Sequence, residues 1–344
     1  MTTDARPNTR IDPAISIGAT RGSTIESRHN VHGVLAAPDG AIEHIWGNGA
    51  LIMFPRSAFK AMQALPLVES GAADAFQLPD EALSMACASH NSEPVHVDLA
   101  GAWVEKIGLS VTDFGCGGHW PRLHDDLAVM IGAGEKPDGR HNNCSGKHAG
   151  MLTVARHLGA PVETYLNLDH PVQQAISDAV SELSDFDLAA TDWGVDGCSA
   201  PNPSMPLAAL AIAAARVADA DPGRLGRTRA DACERLLTAQ GKFPYHIAGR
   251  ERLDTELVRA TDGRIIAKIG ADGVYVVYFR DLKRGLALKS ESGTDTGLYG
   301  GLWEVFSILG LLDDRVKAAL DPYCRPQIRN WNGSVVGEYL TITG

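Results

Sequence analysis

A serine and a lysine stand three residues apart in segment 55–60 (PRSAFK), which opens an Ala-rich run predicted to be helical over 57–70. On a helix this spacing places both side chains on one face, with Cβ atoms ~5–6 Å apart. A lysine amine that has lost its proton can accept the proton of a neighbouring hydroxyl and so activate the oxygen as a nucleophile. Ser57 and Lys60 are therefore the first candidates for chemistry, with Ser57 as the nucleophile.

Two further segments resemble the motifs that accompany Ser-x-x-Lys in serine β-lactamases and penicillin-binding proteins, namely Ser-Asp-Asn and Lys-Thr-Gly. Ser89 begins a Ser-His-Asn sequence after a predicted helix at 79–89, and Lys268 begins a Lys-Ile-Gly sequence on a predicted strand. The order helix, loop, strand agrees, although one residue of each motif differs. Ser89 and Lys268 therefore join the candidate catalytic residues.

A second lysine would make the first one a better base. A free lysine amine has a pKa of ~10.4 and is protonated at neutral pH. A second ammonium nearby, together with partial burial, lowers this pKa. If Lys60 and Lys268 both approach Ser57, we expect one of them to be neutral, with Ser89 relaying or orienting the proton. The alternative is that Lys60 is a solvated helix lysine and Lys268 protects the edge of a sheet.

Segment 141–148 (HNNCSGKH) provides a second group of candidates. Cys144 and His148 are four residues apart, and Cys198 lies in a Gly- and Pro-rich segment. By spacing alone, these three residues are candidate zinc ligands with an open fourth position. The alternative is that both cysteines are small buried apolar side chains. Their polar, turn-rich surroundings weigh against that alternative.

The composition is that of an ordinary globular protein and narrows the classes of function. Of the 344 residues, 44% are hydrophobic and 21% are charged, and the formal net charge is −11 without any basic run. This balance argues against a nucleic-acid-binding surface. No stretch approaches the ~18 apolar residues of a membrane span, and the first residues lack the pattern of a signal peptide. We therefore expect a cytoplasmic protein whose six scattered cysteines are free thiols or metal ligands.

Predicted strands lie near both ends of the chain. Residues 29–46 are predicted to form a hairpin around Asp39-Gly40, and residues 264–293 are predicted to form three successive antiparallel strands. The two groups most simply join in one antiparallel sheet, which predicts an α+β fold.

Between the strands, the chain from about 57 to 260 is predicted to be mostly helical. The segment 192–206 is punctuated by Gly and Pro and is predicted to be a loop. A nearly all-apolar helix follows at 206–219, and its lack of a polar face predicts burial. We expect a single catalytic unit over residues 1–344, with residues 1–12 as a flexible arm.

Taken together, the motifs resemble those of a known family. The chain resembles the Rhizobium etli-type (class 3) L-asparaginases of the asparaginase II family, which have a serine β-lactamase-like fold. The matching positions are Arg21-Gly22, Glu26-Ser27-x-His29, Pro55-Arg56-Ser57-x-x-Lys60-x-x-Gln63, Cys87-Ala88-Ser89-His90-x-Ser92-Glu93-Pro94, His141-Asn142-x-Cys144-Ser145-Gly146-Lys147-His148, Asp196-Gly197-Cys198-x-x-Pro201 and Lys268-x-Gly270-Ala271-x-Gly273.

The resemblance implies two Ser-Lys tandems, Ser57 with Lys60 and Ser89 with Lys268, and Ser57 as the nucleophile. It also implies a homodimer that acts on L-asparagine. In this interpretation Ser57 attacks the side-chain amide, and ammonia is released as an acyl-enzyme forms. Water then completes hydrolysis to L-aspartate.

The resemblance also implies a zinc ion bound by Cys144, Lys147 and Cys198. This set differs from the one that spacing favours, because a lysine replaces His148. We follow the family, because a lysine must lose its proton to bind a metal. The positive charges of a lysine-rich site favour that loss. His148 then joins two other candidates for binding substrate or ordering water, Arg56 and Asp196, although these two could equally be structural.

Three rival functions remain open at this point. A serine β-lactamase or peptidase acting on cell-wall peptides would normally be exported, and the missing signal peptide counts against it. A glutaminase would share this fold. A non-catalytic zinc-binding or scaffold protein would bind metal and hydrolyse neither amino acid.

Overall fold

The structure is a computed structural model that describes residues 9–342. The described chain divides into two compact units. Within the described residues, the sheet unit comprises 9–58, 205–219 and 256–342, and the helical unit comprises 59–204 and 220–255. That all of the chain acts as a single catalytic unit stays a prediction.

The strands are numbered in chain order. They are β1 Arg10–Asp12, β2 Ile15–Arg21, β3 Thr24–Ala36, β4 Ile42–Trp46, β5 Ile52–Met53, β6 Trp193–Val195, β7 Pro201–Pro203, β8 Met205–Pro206, β9 Ile265–Gly270, β10 Val274–Phe279, β11 Arg284–Ser290, β12 Gln327–Arg329 and β13 Val335–Thr341.

The helices are numbered in the same way, and short 3-10 turns accompany them. The α-helices are α1 Lys60–Gln63, α2 Leu65–Glu69, α3 Ala72–Ala75, α4 Asp80–Ala86, α5 Pro94–Lys106, α6 His124–Gly132, α7 Ser145–Leu158, α8 Pro171–Ser184, α9 Leu207–Asp219, α10 Pro222–Leu225, α11 Arg227–Lys242, α12 Tyr245–Ala248, α13 Leu253–Ala260, α14 Asp295–Ile308 and α15 Asp314–Cys324. The 3-10 turns are Arg56–Phe59, Val111–Asp113, Gly139–His141, Val162–Thr164 and Leu188–Ala190.

The main sheet of the sheet unit joins strands from both ends of the chain. Its order is β12-β13-β2-β3-β11-β10-β9, and all of these neighbours are antiparallel. β4 adds to β3 in the antiparallel sense, and β1 adds to β4 in the parallel sense. This arrangement, with a helical region between the two groups of strands, confirms the predicted α+β fold.

Helices cover both faces of this sheet. Gly285 of β11 pairs with Ala36 of β3 and lies against Ala211 of α9. Val31, five residues from Ala36, points to the opposite face because side chains alternate along a strand, and it lies against Gly301 of α14. Covered on both sides, the central strands carry near-continuous apolar runs such as VYVVYF in β10, which is fully buried.

The N-terminal strands differ from the prediction. Residues 10–12 form β1 instead of part of a flexible arm, and residues 1–8 of that predicted arm lie outside the described residues. β2 and the start of β3 at Thr24 were also missed. β2 contains Gly and Ala, which favour strands weakly, and its pairing with both β13 and β3 overrides this preference.

The helix predicted over 57–70 is present only in pieces. Ser57 lies on the 3-10 turn Arg56–Phe59, which is followed by α1 and α2. Pro66 lies in the first turn of α2, where its missing N–H is tolerated, whereas it would interrupt a longer helix. The predicted loop at 192–206 contains three short strands, β6 to β8.

In the helical unit, α7 is the most buried long helix near the candidate site. Its residues Ser145 to Ala155 are all buried, including the polar side chains of its first turn. α7 packs against α4 and α5. Of the helices within residues 9–342, none is long and apolar enough to cross a membrane.

Candidate active site

Lys60 begins α1 and is fully buried in the helical unit. Its Nζ donates to Ser89 Oγ at 3.0 Å and to the carbonyl oxygen of Ala88. A lysine amine excluded from water needs such acceptors, because an unpartnered buried charge is costly. The structure therefore brings together two predicted catalytic residues that lie 29 positions apart.

The second cluster lies at the start of α7. Lys147 Nζ contacts Cys198 Sγ at 3.1 Å, and Cys144 donates a hydrogen bond to Cys198. All three side chains are buried. Asp196 Oδ2 lies 4.0 Å from Cys198 Sγ, and its other oxygen accepts from the Gly197 N–H. The three residues that the family resemblance nominates for zinc are thus neighbours.

Electrostatics in this cluster favour a thiolate beside an ammonium. The hydrogen bond from Cys144 and the Lys147 charge together outweigh the opposing effect of burial and lower the pKa of Cys198 to about 4. The same hydrogen bond, together with burial, raises the pKa of Cys144 to about 12. Burial disfavours the Lys147 ammonium, but the charge of the Cys198 thiolate and its hydrogen bond to the ammonium outweigh burial and raise the pKa of Lys147.

His148, the residue that spacing favoured as a zinc ligand, is fully buried one position further along α7. Its Nδ1 lies 2.6 Å from the hydroxyl of Tyr165, while its Nε2 has no hydrogen-bond partner among the described residues. Burial, and next the Lys147 charge, lower the pKa of His148 to about 3. The imidazole is therefore neutral at ordinary pH and carries one unsatisfied nitrogen.

The donor chemistry of the cluster suits zinc. Thiolate sulfur and neutral nitrogen are the ligand atoms that zinc prefers. Among residues 9–342, no three His, Cys, Asp or Glu side chains are grouped to hold a metal ion. A zinc site formed by Cys144 and Cys198 therefore depends on a donor outside those four residue types, and Lys147 is in place to be that donor.

The sheet unit carries the other candidates, Ser57, Arg56 and Lys268. Ser57 is partly buried on its 3-10 turn. Lys268 lies on β9 with only 1% of its surface exposed, and its Nζ donates to the Ile269 carbonyl at 2.7 Å. Arg56 forms an ion pair with Asp272, just beyond the end of β9.

Gly270 explains how β9 approaches the turn that bears Ser57. A Cβ at this position would lie 2.6 Å from the Pro55 carbonyl oxygen and 3.0 Å from the Ala58 nitrogen. Both atoms belong to the backbone and cannot yield as a flexible side chain could. The glycine of the Lys-Ile-Gly sequence therefore lets the end of β9 pack directly against the backbone on both sides of Ser57.

Sequence reasoning missed several residues that contact the candidates. The guanidinium of Arg252 donates to the Ser89 carbonyl, and Tyr165 meets His148. Neither Arg252 nor Tyr165 belongs to a quoted motif, and no local periodicity marks them. Glu93, by contrast, stands in the motif that begins at Cys87, and its burial could have been suspected from that position.

The helical unit of this α+β protein buries a lysine against a serine hydroxyl, beside a cluster of two thiols and an amine. These are groups that nucleophilic hydrolysis requires. The model of the family described as L-asparaginase II matches residues 17–341. The chain therefore belongs to the L-asparaginase II family. No curated protein matches the chain significantly.

Solved structures show weaker likenesses. Mglu in its native form with 4.3 M NaCl is 13% identical, covering 82% of this chain and 62% of its own, with a TM-score of 0.44. Mglu in its L-glutamate binding form is 14% identical over 82% and 60%, with a TM-score of 0.42. A β-lactamase from Mycobacterium bovis is 13% identical over 86% and 95%, with a TM-score of 0.37. The chain spans about three fifths of the length of these two Mglu chains, and we infer nothing further from likenesses of this size.

Proposed function

We propose that the protein is an L-asparaginase, which hydrolyses the side-chain amide of L-asparagine to L-aspartate and ammonia. The observation that carries the proposal is the buried contact of Lys60 Nζ with Ser89 Oγ in a chain of the L-asparaginase II family. An amine and a hydroxyl in hydrogen-bond contact, shielded from water, are suited to moving a proton during attack on an amide.

In the proposed mechanism, Ser57 Oγ attacks the amide carbon while a neutral lysine accepts its proton. The C–N bond then breaks as the lysine gives this proton to the departing ammonia, and water hydrolyses the acyl-enzyme. Lys60 and Ser89 pass the proton within the helical unit, where their contact is 3.0 Å. The roles of Ser57 and Lys268, which belong to the sheet unit, come from the family resemblance.

Arg56, His148 and Asp196 are the proposed substrate-binding residues. An amino-acid substrate carries a carboxylate, which a guanidinium can bind, and an ammonium, which a carboxylate can bind. His148 Nε2 is buried without a partner, so a ligand would satisfy it. Arg56 is already paired with Asp272, and a substrate carboxylate would compete with that pair.

We propose zinc as the cofactor, bound by Cys144, Lys147 and Cys198. When bound there, zinc supplies positive charge that polarises a nearby carbonyl or water. Lys147 would have to lose its proton to bind zinc, so zinc replaces the ammonium of the thiolate–ammonium pair described above. Metal analysis of purified protein checks this, since Cys198→Ser should lose bound zinc.

Ammonia release from asparagine tests the proposed function. Ser57→Ala should lower the rate by at least roughly 10⁴-fold, because the nucleophile is removed. Ser307→Ala, at an exposed position of α14, is the matched control and should keep the wild-type rate. Wild-type turnover in Ser57→Ala would disprove the nucleophile assignment.

The same assay distinguishes the rival functions. We expect asparagine to be hydrolysed faster than glutamine, and the reverse order would identify a glutaminase. Hydrolysis of a chromogenic β-lactam would favour a β-lactamase-like serine amidohydrolase. Metal in the purified protein without turnover of either amino acid would leave a zinc-binding or scaffold protein.

Three further features complete the proposal: the homodimer comes from the resemblance to the Rhizobium etli-type, class 3 enzymes, and the location and excluded partners come from the composition and charge of the sequence. We propose that the protein is a homodimer, that it is cytoplasmic, and that it binds neither nucleic acid nor a membrane. A molar mass of about twice 36.6 kDa by light scattering would support the dimer.

A further inference from the structure

Ser89 lies on a loop, residues 89–93, that we call the Ser89 loop. It follows α4 and precedes α5. All five of its residues are buried, although all five have polar or charged side chains. Ser92 has a φ of 66°, a conformation that a residue other than glycine rarely adopts and that surrounding contacts must maintain. The contacts that hold this loop therefore decide where Ser89 points.

Arg252 holds the loop from one side. Its NH1 nitrogen donates to the Ser89 carbonyl at 3.0 Å and to Asn91 Oδ1 at 2.9 Å, and only 8% of the residue is exposed. The guanidinium is planar and its N–H groups diverge at fixed angles. Two bonds from one nitrogen therefore fix the Ser89 carbonyl relative to the Asn91 side chain.

Backbone groups shortly before Arg252 also form hydrogen bonds with the Ser89 loop. The Ser89 N–H donates to the Ile247 carbonyl at 2.9 Å, and Asn91 Nδ2 donates to the Arg250 carbonyl at 2.8 Å. Ser89 is thus bonded through both its N–H and its C=O to the segment 247–252. This leaves the Ser89 side chain as its only hydrogen-bonding group not committed to that segment.

Glu93 fixes the far end of the loop. Its buried carboxylate accepts from the Arg250 N–H at 3.0 Å, from Arg250 NH1 at 3.1 Å, and from the Tyr245 hydroxyl. Gly249 has a φ of 98°, and a Cβ there would lie 2.0 Å from Glu93 Oε1. The chain between Tyr245 and Arg250 can therefore wrap around the carboxylate only with glycine at this position.

The other side of the loop is bonded to the segment that leads into α7. The His90 N–H donates to the Asn143 carbonyl at 3.2 Å, and Ser92 Oγ donates to the His141 carbonyl. His90 Nδ1 accepts from the Ser92 N–H at 3.1 Å, so the neutral imidazole carries its proton on Nε2, which donates to Ser145 Oγ at 2.9 Å. Hydrogen bonds thus hold the Ser89 loop between segment 247–252 and the residues that lead into α7.

We propose that Arg252 is a positioning residue, which keeps Ser89 Oγ 3.0 Å from Lys60 Nζ by bonding the Ser89 backbone. This inference rests on the proposed function, because it gives the Lys60–Ser89 contact a part in the reaction. Arg252 donates to two neutral oxygens, so its removal leaves no unpaired carboxylate behind. Its loss should loosen the loop without unfolding the unit.

The experiment compares Arg252→Ala with the wild type by asparagine turnover and by hydrogen exchange of residues 89–93. We expect kcat to fall by roughly 10- to 100-fold, because small displacements of catalytic groups have effects of that size. KM should change by less than about twofold, since Arg252 does not bind substrate in this proposal. Exchange of the Ser89 loop should become faster, and free guanidinium at a non-denaturing concentration should restore part of kcat.

Two companion variants complete the design. Arg235→Ala removes a partly exposed arginine of α11, paired with Asp74, and should leave kcat and exchange of the loop unchanged. If Arg252→Ala fails to fold, Arg252→Lys is used instead. It keeps the charge but cannot reproduce the guanidinium geometry, so a smaller loss of kcat is expected.

The outcomes separate the positioning role from the function itself. Unchanged exchange of residues 89–93 in a folded Arg252 variant would overturn the proposal, and so would faster exchange with unchanged kcat. A wild-type protein that releases ammonia from neither asparagine nor glutamine would instead overturn the proposed function. That failure appears before any variant is made, so the two cannot be confused.

Discussion

The cores of the two units are built from different side chains. In the sheet unit, β10 and β11 bury almost continuous apolar runs, and α9 and α14 cover them with Ala, Leu and Gly. The helical unit instead buries Lys60, Lys147 and His148, each no more than 4% exposed. Burying ionisable groups costs free energy that apolar packing would not. Burial in the sheet unit therefore contributes mainly to stability, whereas part of the burial in the helical unit lowers stability and keeps reactive groups away from water.

The two units also satisfy the hydrogen-bonding groups of their buried lysines in different ways. In the sheet unit, Lys268 interrupts an otherwise apolar β9 and donates to the carbonyl of its own neighbour, Ile269. In the helical unit, Lys60 and Lys147 bond to groups brought from distant parts of the chain. In the helical unit these contacts link buried lysines to other reactive side chains, Ser89 and Cys198.

Within this comparison of the two units, the largest expected effect is on activity, from Lys60→Met. Loss of the amine should lower asparagine turnover by roughly 10²- to 10⁴-fold, the usual contribution of a general base. The free energy of unfolding should stay the same or rise, because an apolar side chain of similar volume replaces a buried amine that donates to two uncharged oxygens. Ammonia release and urea unfolding measure the two quantities.

Lys242→Met is the control for that prediction. Lys242 is exposed and paired with Asp80, so its replacement should change neither quantity appreciably. A strong loss of stability in Lys60→Met would contradict the comparison, because it would show that the buried lysine supports the fold.

The opposite behaviour is expected in the sheet unit. Leu286 of β11 is fully buried, and Leu286→Ala should lower the free energy of unfolding by about 2–5 kcal/mol through lost burial and a cavity. The kcat of the folded protein should remain within about twofold of wild type. Leu282→Ala, at a half-exposed position, is the control and should change stability by less than about 0.5 kcal/mol.

A pH dependence of stability is expected from His96 in the helical unit. Burial, and to a smaller extent the neighbouring charges of His246 and Arg252, lower its pKa to about 4 against the opposing effects of the Tyr245 carbonyl and Glu93. Between that value and the ordinary 6.5, the unfolded chain binds more protons than the folded chain. The free energy of unfolding should therefore decrease as the pH falls from about 6.5 to about 4.

His96→Phe isolates this contribution. Over that pH range the wild type should lose about 3 kcal/mol more than the variant, because phenylalanine does not titrate. Urea unfolding at several pH values measures the difference, and the exposed His157→Gln serves as control. Parallel pH curves for wild type and His96→Phe would show that burial of this imidazole does not limit stability.

Much of the fold could be predicted from local patterns. The strands β9 to β11 and the buried helix α9 have long apolar or alternating runs, and these patterns depend only on neighbouring residues. β1 and β2 could not be predicted in this way, because their pairing with β4 and β13, which lie further along the chain, helps to stabilise them. The helix predicted from Ser57 was interrupted for a local reason, Pro66, whose effect the prediction overlooked.

For the candidate site, the sequence by itself determined which residues could do the chemistry and, through their motifs, the family. It could not determine which of them meet. The contacts of Lys60 with Ser89 and of Lys147 with Cys198 join residues 29 and 51 positions apart, and Arg252 reaches Ser89 across 163 positions. Such contacts arise from helix packing and loop closure, which no local spacing encodes, so only the tertiary structure decided them.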